Sequence, residues 1–532
     1  MRMLRALLYV AVVLCAAAFA DVCRGDAPPP PPAVIWYAPL LSGGGYCSEA
    51  HSYVTSIAAA LRSMEEAAVD EQDGSTINTP PHSHEGSSKG SQAAVSSTKY
   101  VTPFSLLVTQ HGDSLNAAFI RDIPDSMHEL LKEVSLLLPP LSWLFRMYEI
   151  FRMEWMEDAL TRVYAFVSHF QHWIEERDFN WRLSDRKIAI AICHSEPGAW
   201  HPARYTTSRC PPKGALYKVG RTMFETDRVP SGWPERMNNM DEIWVPTRFQ
   251  EHVFIEGRVR AEAIKVVPEA VDVDFFNPEQ VETPYDLASE LAETGFTMTE
   301  HTTVYLSIFK WEERKAWRVL IKAYFEAFAP EDDVVLVLLT NAYHVQSETA
   351  KDFLEIIDVF AREAVGKTLK KLPKLHVLPP HLPQTALPSL YKAATAFVLP
   401  SRGEGWGRPH VEAMAMELPV IATFWSGTTE YMTEENSYRL RIDGLVEITE
   451  GAFSGHKWAE PSIDHLKELL VHVKQHPEEA IAKGKRARQD MIAKYAPDII
   501  GDLILGHIHR ILKEVARRQE QETDNSEDHD EL

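Results

Sequence analysis

Beyond residue 20 the sequence has no apolar run long enough to cross a bilayer, which takes about 20 residues of helix, so no membrane-spanning helix is expected there. It has no surplus of basic residues either. Its 54 Lys and Arg are outnumbered by 76 Asp and Glu, a formal net charge of −22. That balance excludes a protein built to track nucleic-acid phosphates, or to lie on anionic lipid through basic side chains, and leaves room only for a local basic pocket. Cysteine is scarce: five in 532 residues with no Cys-x-x-Cys pair, too few for a disulfide framework. Cys15 falls in an apolar leader. Cys23, Cys47, Cys193 and Cys210 remain, as buried thiols or as one or two bridges whose pairing the sequence leaves open. No Asn-x-Ser/Thr acceptor with a permissive middle residue occurs, so N-linked glycans on the chain itself are not expected.

What is present begins with two address signals. Arg2 and Arg5 precede an apolar run from Leu7 to Ala20 that ends Ala18-Phe19-Ala20, the layout of a signal peptide (1–20) cut before Asp21. The last four residues, His529-Asp530-Glu531-Leu532, read as a retrieval signal for the endoplasmic reticulum. Together they predict a protein of the reticulum lumen, with the HDEL receptor as a partner and no transmembrane segment once the leader is removed. Between these ends, 532 residues at roughly 100–200 per domain predict two or three domains.

Pro28 to Pro32 make a short stiff spacer, after which strand and helix patterns alternate. Val34-Ile35-Trp36-Tyr37 leads into the turn Ser42-Gly43-Gly44-Gly45 and a helix-like stretch through Leu61. Ser105 to Thr109, Lys187 to Cys193, Ile243 to Val245 and Ile264 to Val267 read as further strands. Residues 71–97, rich in Ser, Gly, Pro and His, read as a disordered insertion. Residues from about 127 to 176 read as a helical insertion packed on the acceptor side, with a membrane-surface role left open. Val271 to about Glu300 reads as a linker. A second series follows: Thr303 to Ser307, Val334 to Leu339, Leu375 to Leu378, Thr395 to Leu399 and Pro419 to Ala422. Residues from about Glu460 onward are helical in pattern, and the acidic stretch from Glu520 reads as a mobile arm. Two runs of strand–helix units predict an α/β protein of two parallel-sheet domains, over 33–275 and 285–495, followed by a helix and acidic tail over 496–532. In such sheets ligands lie beyond the carboxyl ends of the strands.

The densest chemistry follows the strand Phe397-Val398-Leu399. The chain continues Glu404-Gly405-Trp406-Gly407-Arg408-Pro409-His410-Val411-Glu412-Ala413-Met414-Ala415, with a helix expected to start near Pro409, whose missing N–H is not needed in a first turn. Gly405 and Gly407 let the backbone come close to a ligand. The N–H groups and positive dipole end of the helix suit a phosphate. Glu404 and Glu412, eight residues apart, point toward one mouth of the sheet. Taken alone, a Gly-rich turn with two glutamates is more often structural. This stretch, however, with Pro419-Val420-Ile421-Ala422 after it, resembles the E-x7-E motif of retaining glycosyltransferases of the GT-B fold, family 4, the "glycosyl transferases group 1" domain. The resemblance implies two Rossmann-like domains facing across a cleft. It also implies that Glu404 contacts donor-sugar hydroxyls, that Glu412 holds the ribose, and that the N–H groups after Glu404 help bind a diphosphate. A carboxylate suits hydroxyls because it accepts hydrogen bonds without donating.

Ser307 to Ala316, with Lys310 and Lys315, is similar to the family's G-R-L-x-x-x-K-G. Ser307, Lys310 and Ala316 depart from it, standing where the family has Gly, Arg and Gly. The resemblance places Lys310 and Lys315 on the diphosphate in place of a metal. At an effective dielectric of about 20 each close charge pair contributes roughly 4 kcal/mol. Val267 to Pro278 resembles the segment at the domain junction, which makes Asp272 and Asp274 structural rather than a metal-binding pair. Ser42 to Gly45 resembles the Gly-Gly turn beside the donor phosphates, and His194, at a strand end, stands where relatives face the donor sugar. Gly220 to Arg228, then Asp241 to Thr247, also resembles family members, with Asp227 or Glu225 touching acceptor or base. Ser426 to Glu430 matches a G-x-x-E element, whose Glu430 either fixes a loop near the nucleotide or caps a helix.

The resemblance therefore implies a retaining, metal-independent, hexosyltransferase-like enzyme. Glu404, Lys315 and His194 are its catalytic residues. Lys310, Glu412, Gly405, Trp406, Gly407, Arg408, Gly44, Gly45 and Glu430 bind the donor. It needs no cofactor and no metal. The co-substrate is a nucleotide sugar, a UDP-sugar being favoured because such donors are common in that lumen, and the acceptor is a glycan, protein or lipid. The alternative is an inactive glycan- or nucleotide-sugar-binding protein of quality control.

Overall fold

A computed structural model of the chain describes residues 31–39, 50–57, 60–61, 104–111, 187–204, 209–342, 349–379 and 382–530. The expected leader, the turn Ser42 to Gly45 with Gly44 and Gly45, the insertions over 71–97 and about 127–176, and the last two residues of the retrieval signal lie outside the described residues.

Twelve strands form two six-stranded parallel sheets. The first holds β1 (Ala33–Ala38), β2 (Ser105–Gln110), β3 (Ile188–His194), β4 (Tyr217–Arg221), β5 (Glu242–Val245) and β6 (Ile264–Val266), in the order β2-β1-β3-β4-β5-β6. The second holds β7 (Thr303–Trp311), β8 (Val334–Ala342), β9 (Lys374–Val377), β10 (Ala396–Leu399), β11 (Val420–Thr423) and β12 (Tyr438–Leu440), in the order β12-β11-β10-β7-β8-β9. β1 and β3 are buried at every position, the mark of strands covered on both faces. β4, with its Lys, Gly and Arg, shows no such run in sequence, yet it pairs between β3 and β5. Gly220 in β4 makes room for the ring of Trp200: a Cβ there would come within 2.3 Å of it.

One face of the first sheet, with Trp36, Ile190, Val219 and Trp244, shares a continuous core with the second domain through Val267, Val271 and Phe276. The opposite face, with Ile35, Ala191, Ile243 and Phe254, has its own cluster. A disulfide joins Cys193 at the end of β3 to Cys210. The segment read as a linker contains a short helix, Leu287–Glu293, whose N-cap Asp286 accepts the Ser289 N–H.

The helices that matter for the site are α1 (residues 50–57), α2 (Arg248–Glu256), α3 (Trp317–Ala327), α4 (Arg408–Ala415), α5 (Ile463–Gln475), α6 (Pro477–Tyr495) and α7 (Pro497–Asp530). α7 leaves the second domain and returns to the first. His507 packs on Trp244 with ring centroids 5.5 Å apart, and Arg510 pairs with Glu242 at 2.6 Å. Residues 520–530, expected as a mobile arm, continue this helix. Between β12 and α5 lies an antiparallel hairpin, β13 (Ile442–Glu447) and β14 (Lys457–Pro461), which the sequence pattern did not reveal. The hairpin reaches the first domain: Phe453 packs edge-on against Phe224 at 4.8 Å, and Lys457 N–H donates to Asp227 Oδ1 at 2.7 Å.

The second domain is close-packed where α6 crosses the chain after α4. A Cβ on Gly484 would lie 1.9 Å from the Glu417 carbonyl oxygen, which belongs to backbone and cannot swing aside. Gly484→Ala should therefore lower unfolding free energy by about 1–3 kcal/mol, read as a lower urea midpoint. Gly506→Ala in exposed α7, with nothing within 4 Å of its Cβ, is the control and should be neutral or stabilise by about 0.4–1 kcal/mol. Equal midpoints for the two variants would contradict the packing of α6.

Candidate functional site

The strand order of the second sheet reverses between β7 and β10, and the crevice beyond such a reversal is where open α/β sheets bind ligands. Both loops leaving this point carry charge. β7 runs into a 3-10 turn, Glu313–Lys315, and then Ala316, whose φ of 50° and ψ of 40° let α3 begin in a new direction. This is the position where the family pattern has Gly, and the left-handed conformation explains that preference. β10 runs into the loop 400–407 and then α4, with Pro409 in its first turn and Gly407 at φ 99° as its N-cap. A Cβ on Gly405 would meet Met223 Sδ at 2.3 Å, and one on Gly427 would meet the Gly405 carbonyl at 2.5 Å, so the loop is packed backbone to backbone.

At the centre stands Glu404. Lys315 Nζ donates to its Oε1 at 2.6 Å, Ser401 Oγ donates to the same oxygen at 2.5 Å, and Arg314 Nη1 donates to Oε2 at 3.0 Å. Burial alone would raise the Glu404 pKa. The adjacent Lys315 and Arg314 outweigh it and hold the carboxyl well below the usual carboxylate range, so it is an anion at every physiological pH. Arg314 also donates to the Gly403 carbonyl at 2.8 Å and to Glu312 at 2.8 Å, and lies 3.6 Å from Glu225 of the first domain. His410, buried behind the loop with Nδ1 3.2 Å from the Gly407 oxygen, is pushed down to about 4 by burial and stays neutral.

These groups wall a cavity of about 400 Å³, the size of a small-ligand pocket. Its lining includes Lys310, Glu312, Arg314, Lys315, Glu404, Gly405, Trp406, Gly407 and Arg408 from the second domain, Met223 and Glu225 from the first, and Glu269 from the junction. Eight lining residues bear charge, four of each sign, on walls that are otherwise largely apolar.

Of the residues singled out by sequence, Glu404, Lys315, Lys310, Gly405, Trp406, Gly407 and Arg408 share this cavity. Lys310 is exposed at the rim, and the second cation set against Glu404 is the half-buried Arg314, which sequence reasoning passed over. In a 3-10 turn successive residues point about 120° apart, and Arg314 and Lys315 approach Glu404 from different sides, one at Oε2 and the other at Oε1. Glu412 lies just behind the lining, accepting from Tyr391 Oη at 3.0 Å and 3.5 Å from Arg408 Nε. His194 is not among the lining residues: it is fully buried, accepts from Trp36 Nε1 at 3.2 Å and packs against Tyr53. At the end of β3 it sits beside Trp36 and Tyr53 in the aromatic core of the first domain. Glu430 is also outside the lining. It accepts the Arg248 N–H at 2.8 Å and so caps α2 from the other domain, the structural one of its two readings. Asp272 accepts the N–H groups of Asp274 and Phe275, a turn within the chain. Asp227 is spent on Arg228 and Lys457, whereas Glu225, two residues earlier, faces the cavity.

Two facing parallel-sheet domains, with the charged loops of one at the carboxyl ends of its central strands, define the GT-B architecture. Comparison with known proteins agrees. Residues 300–447 match the family described as Glycosyl transferases group 1. The curated D-inositol 3-phosphate glycosyltransferase of Corynebacterium jeikeium (strain K411) is 27% identical over 195 residues, 36% of this chain and 43% of the relative, so this chain matches less than half of that protein's length. A glycosyltransferase from Rickettsia africae ESF-5 superposes with a TM-score of 0.50 at 12% identity, covering 91% of this chain and 99% of that one. Anabaena Alr3699/HepE, solved in complex with UDP, gives a TM-score of 0.50 at 13% identity, covering 90% and 99%. At these identities the structures establish a shared fold.

Glu412 generates a prediction about stability. Burial raises its pKa above the ordinary 4.5, against the pull of Arg408 and Tyr391. Between the ordinary and the raised value the folded chain keeps a proton that the unfolded chain has released. Stability contributed by this group is therefore present in acid and lost as pH rises through that window. Glu412→Gln removes the ionisable group. It should unfold at a higher temperature than wild type at pH 7, with the difference shrinking as pH falls toward 4.5. A difference that is constant with pH would mean that Glu412 is not titrating from a buried site.

Proposed function

We propose that the chain is a glycosyltransferase that binds a nucleotide sugar in the cavity at the β7–β10 reversal and transfers the sugar, with retention of configuration and without a catalytic metal, to an acceptor entering from the first domain. The observation that carries this reading is the convergence of Lys315 and Arg314 on Glu404 at that point of the sheet. The matching family and the fold shared with known glycosyltransferases support it.

The chemistry follows from the placement. The anomeric C–O bond to the diphosphate breaks, and charge builds on the leaving oxygens. Lys315, buried, and Arg314, half-buried, stabilise that charge more than the more dispersed charge of the bound donor, which lowers the barrier. The N-terminus of α4 and the backbone of Gly405 to Gly407 lie beside them for the same phosphates. Glu404, already an anion, accepts from sugar hydroxyls. Glu412, on the next turn of chain, is the partner for the ribose. The acceptor hydroxyl attacks on the face the diphosphate leaves, and its proton passes to the departing oxygen, so no side-chain nucleophile is needed. UDP-sugars are the favoured donors.

Two variants test the activity. Lys315→Ala should lower turnover by at least about tenfold through lost charge stabilisation. Glu404→Ala should abolish the slow hydrolysis of nucleotide sugar that a transferase shows without acceptor. Wild-type-like turnover in Lys315→Ala would remove that residue from the mechanism. Donor binding with no hydrolysis above background in the wild type would instead mark an inactive binding protein.

We also propose residence in the lumen of the endoplasmic reticulum, supported by the Cys193–Cys210 bridge, which an oxidising compartment permits. Deleting His529 to Leu532 should release the protein to the medium, and continued retention in a secretion assay would refute the retrieval signal.

A further inference from the structure

Glu225 has no part in the scheme above, yet the fold goes to some length to place it. It lies on the segment that follows β4, and its backbone is pinned to the opposite domain. A Cβ on Gly403 would lie 2.4 Å from the Glu225 carbonyl oxygen, and Ser426 Oγ donates to that oxygen at 3.2 Å. Two residues on, Asp227 exchanges backbone contacts with Lys457, its N–H donating to the Lys457 carbonyl at 2.9 Å. Gln250 of α2 ties the same region down, donating to the Phe224 carbonyl at 3.2 Å and to the Gly405 carbonyl at 2.7 Å. A side chain held from both sides in this way has little freedom, and its carboxylate is aimed into the cavity wall.

The cations within its reach are already engaged. Arg314 is shared among Glu312 at 2.8 Å, Glu404 at 3.0 Å and Glu225 at 3.6 Å. Lys315 is held by Glu404 at 2.6 Å. Around this end of the cavity three carboxylates therefore crowd two cations, and burial together with the neighbouring Glu404 and Glu312 already raises the Glu225 pKa against the pull of Arg314 and Lys315. The remaining lining cations are Arg408, beside Glu412, and the rim residue Lys310. A ring of carboxylates suits a ligand that presents hydroxyl groups, because an ionised carboxylate accepts hydrogen bonds and donates none. It opposes a sugar that brings a further anion to this end, because Arg314 and Lys315 are already shared among Glu312, Glu404, Glu225 and, in the reading above, the donor diphosphate.

We infer that Glu225, held against Arg314 by the first domain, is a specificity-determining residue that admits uncharged, hydroxyl-bearing sugars on the donor diphosphate and rejects sugars that carry a carboxylate. This rests on the reading of the cavity as a nucleotide-sugar site. It goes beyond that reading by naming the sugar class and the residue that sets it.

The test uses the full chain and isothermal titration. UDP, GDP and ADP are titrated first, and binding of none of them would overturn the donor reading itself. On the base that binds, a neutral sugar and its uronic counterpart are compared, UDP-glucose with UDP-glucuronic acid or GDP-mannose with GDP-mannuronic acid. The wild type should bind the uronic form at least about tenfold more weakly. Glu225→Gln should narrow the ratio to within about threefold, each affinity being taken relative to that of the free nucleoside diphosphate for the same variant. A wild type that binds the two forms alike, or a Glu225→Gln variant that keeps full discrimination, overturns the inference and leaves the donor reading standing. If the variant loses the free diphosphate as well, the wild-type ratio alone decides: tenfold or more supports the inference, and parity overturns it.

Discussion

The candidate site depends on one buried anion compensated by two cations from a neighbouring loop. Glu404 sits on the loop after β10, and Lys315 and Arg314 on the turn after β7. Because the two strands are adjacent in the sheet, their loops leave it side by side, and the charges meet where the strand order reverses. Removing one partner from a buried pair usually costs about 3–5 kcal/mol, since the other charge is left uncompensated. The interaction therefore fixes the shape of both loops as well as the field between them. Glycines at 403, 405 and 427 are required by the same geometry, for the loop approaches Glu225, Met223 and itself at distances that no side chain would allow.

The second constraint is the closeness of the two domains. The segment after β4 is gripped by Gly403, Ser426 and the β13–β14 hairpin, α2 is capped by Glu430, and α7 crosses back to lie on Trp244 and Glu242. These contacts are spread over several elements and add to the apolar core that the two domains share through Val267, Val271 and Phe276. Met223 and Glu225 can contribute to a cavity built mostly by the other domain because this grip sets their distance from it. A GT-B fold with separated domains would leave the same sequence motifs intact and the cavity without that wall.

How much of this was legible in the sequence follows the physics of each element. Strands buried on both faces announce themselves as apolar runs, so β1, β3, β8 and β10 were read close to their observed limits. β4 was not, because its Lys218 and Arg221 interrupt the run and Gly220 is small for Trp200 rather than for a turn. The hairpin was missed because β13 is mostly exposed and lacks an alternating face. In the site, Glu404, Lys315 and the glycine loop were readable because their spacing is set by one local strand–turn–helix unit. Arg314 was not, since its role comes from a contact with Glu404 between two loops that no local spacing reveals, and Glu225 was not separable from Asp227 without knowing which of them the hairpin occupies. His194 was read at the end of its strand, where it stands, but its contact with Trp36 is a long-range one that chain position does not reveal.

The two glutamates of the motif show why spacing does not determine chemistry. They sit eight residues apart on one loop and helix and are both buried, yet their environments push them in opposite directions. Glu404 has two cations in contact and is locked as an anion. Glu412 has a phenol and a more distant guanidinium, which fall short of the cost of its burial. An anion already compensated within the protein accepts hydroxyl hydrogen bonds without first being desolvated, so the Glu404 end of the cavity is preorganised before any ligand arrives. At Glu412 the fold carries an uncompensated burial cost that a ligand bringing hydrogen-bond donors would relieve, and that relief adds to its affinity. One end of the motif is thus prepared by the protein and the other is completed by what it binds. This division follows from neighbours at 2.6 Å and 3.5 Å, contacts that neither carboxylate's place in the chain reveals.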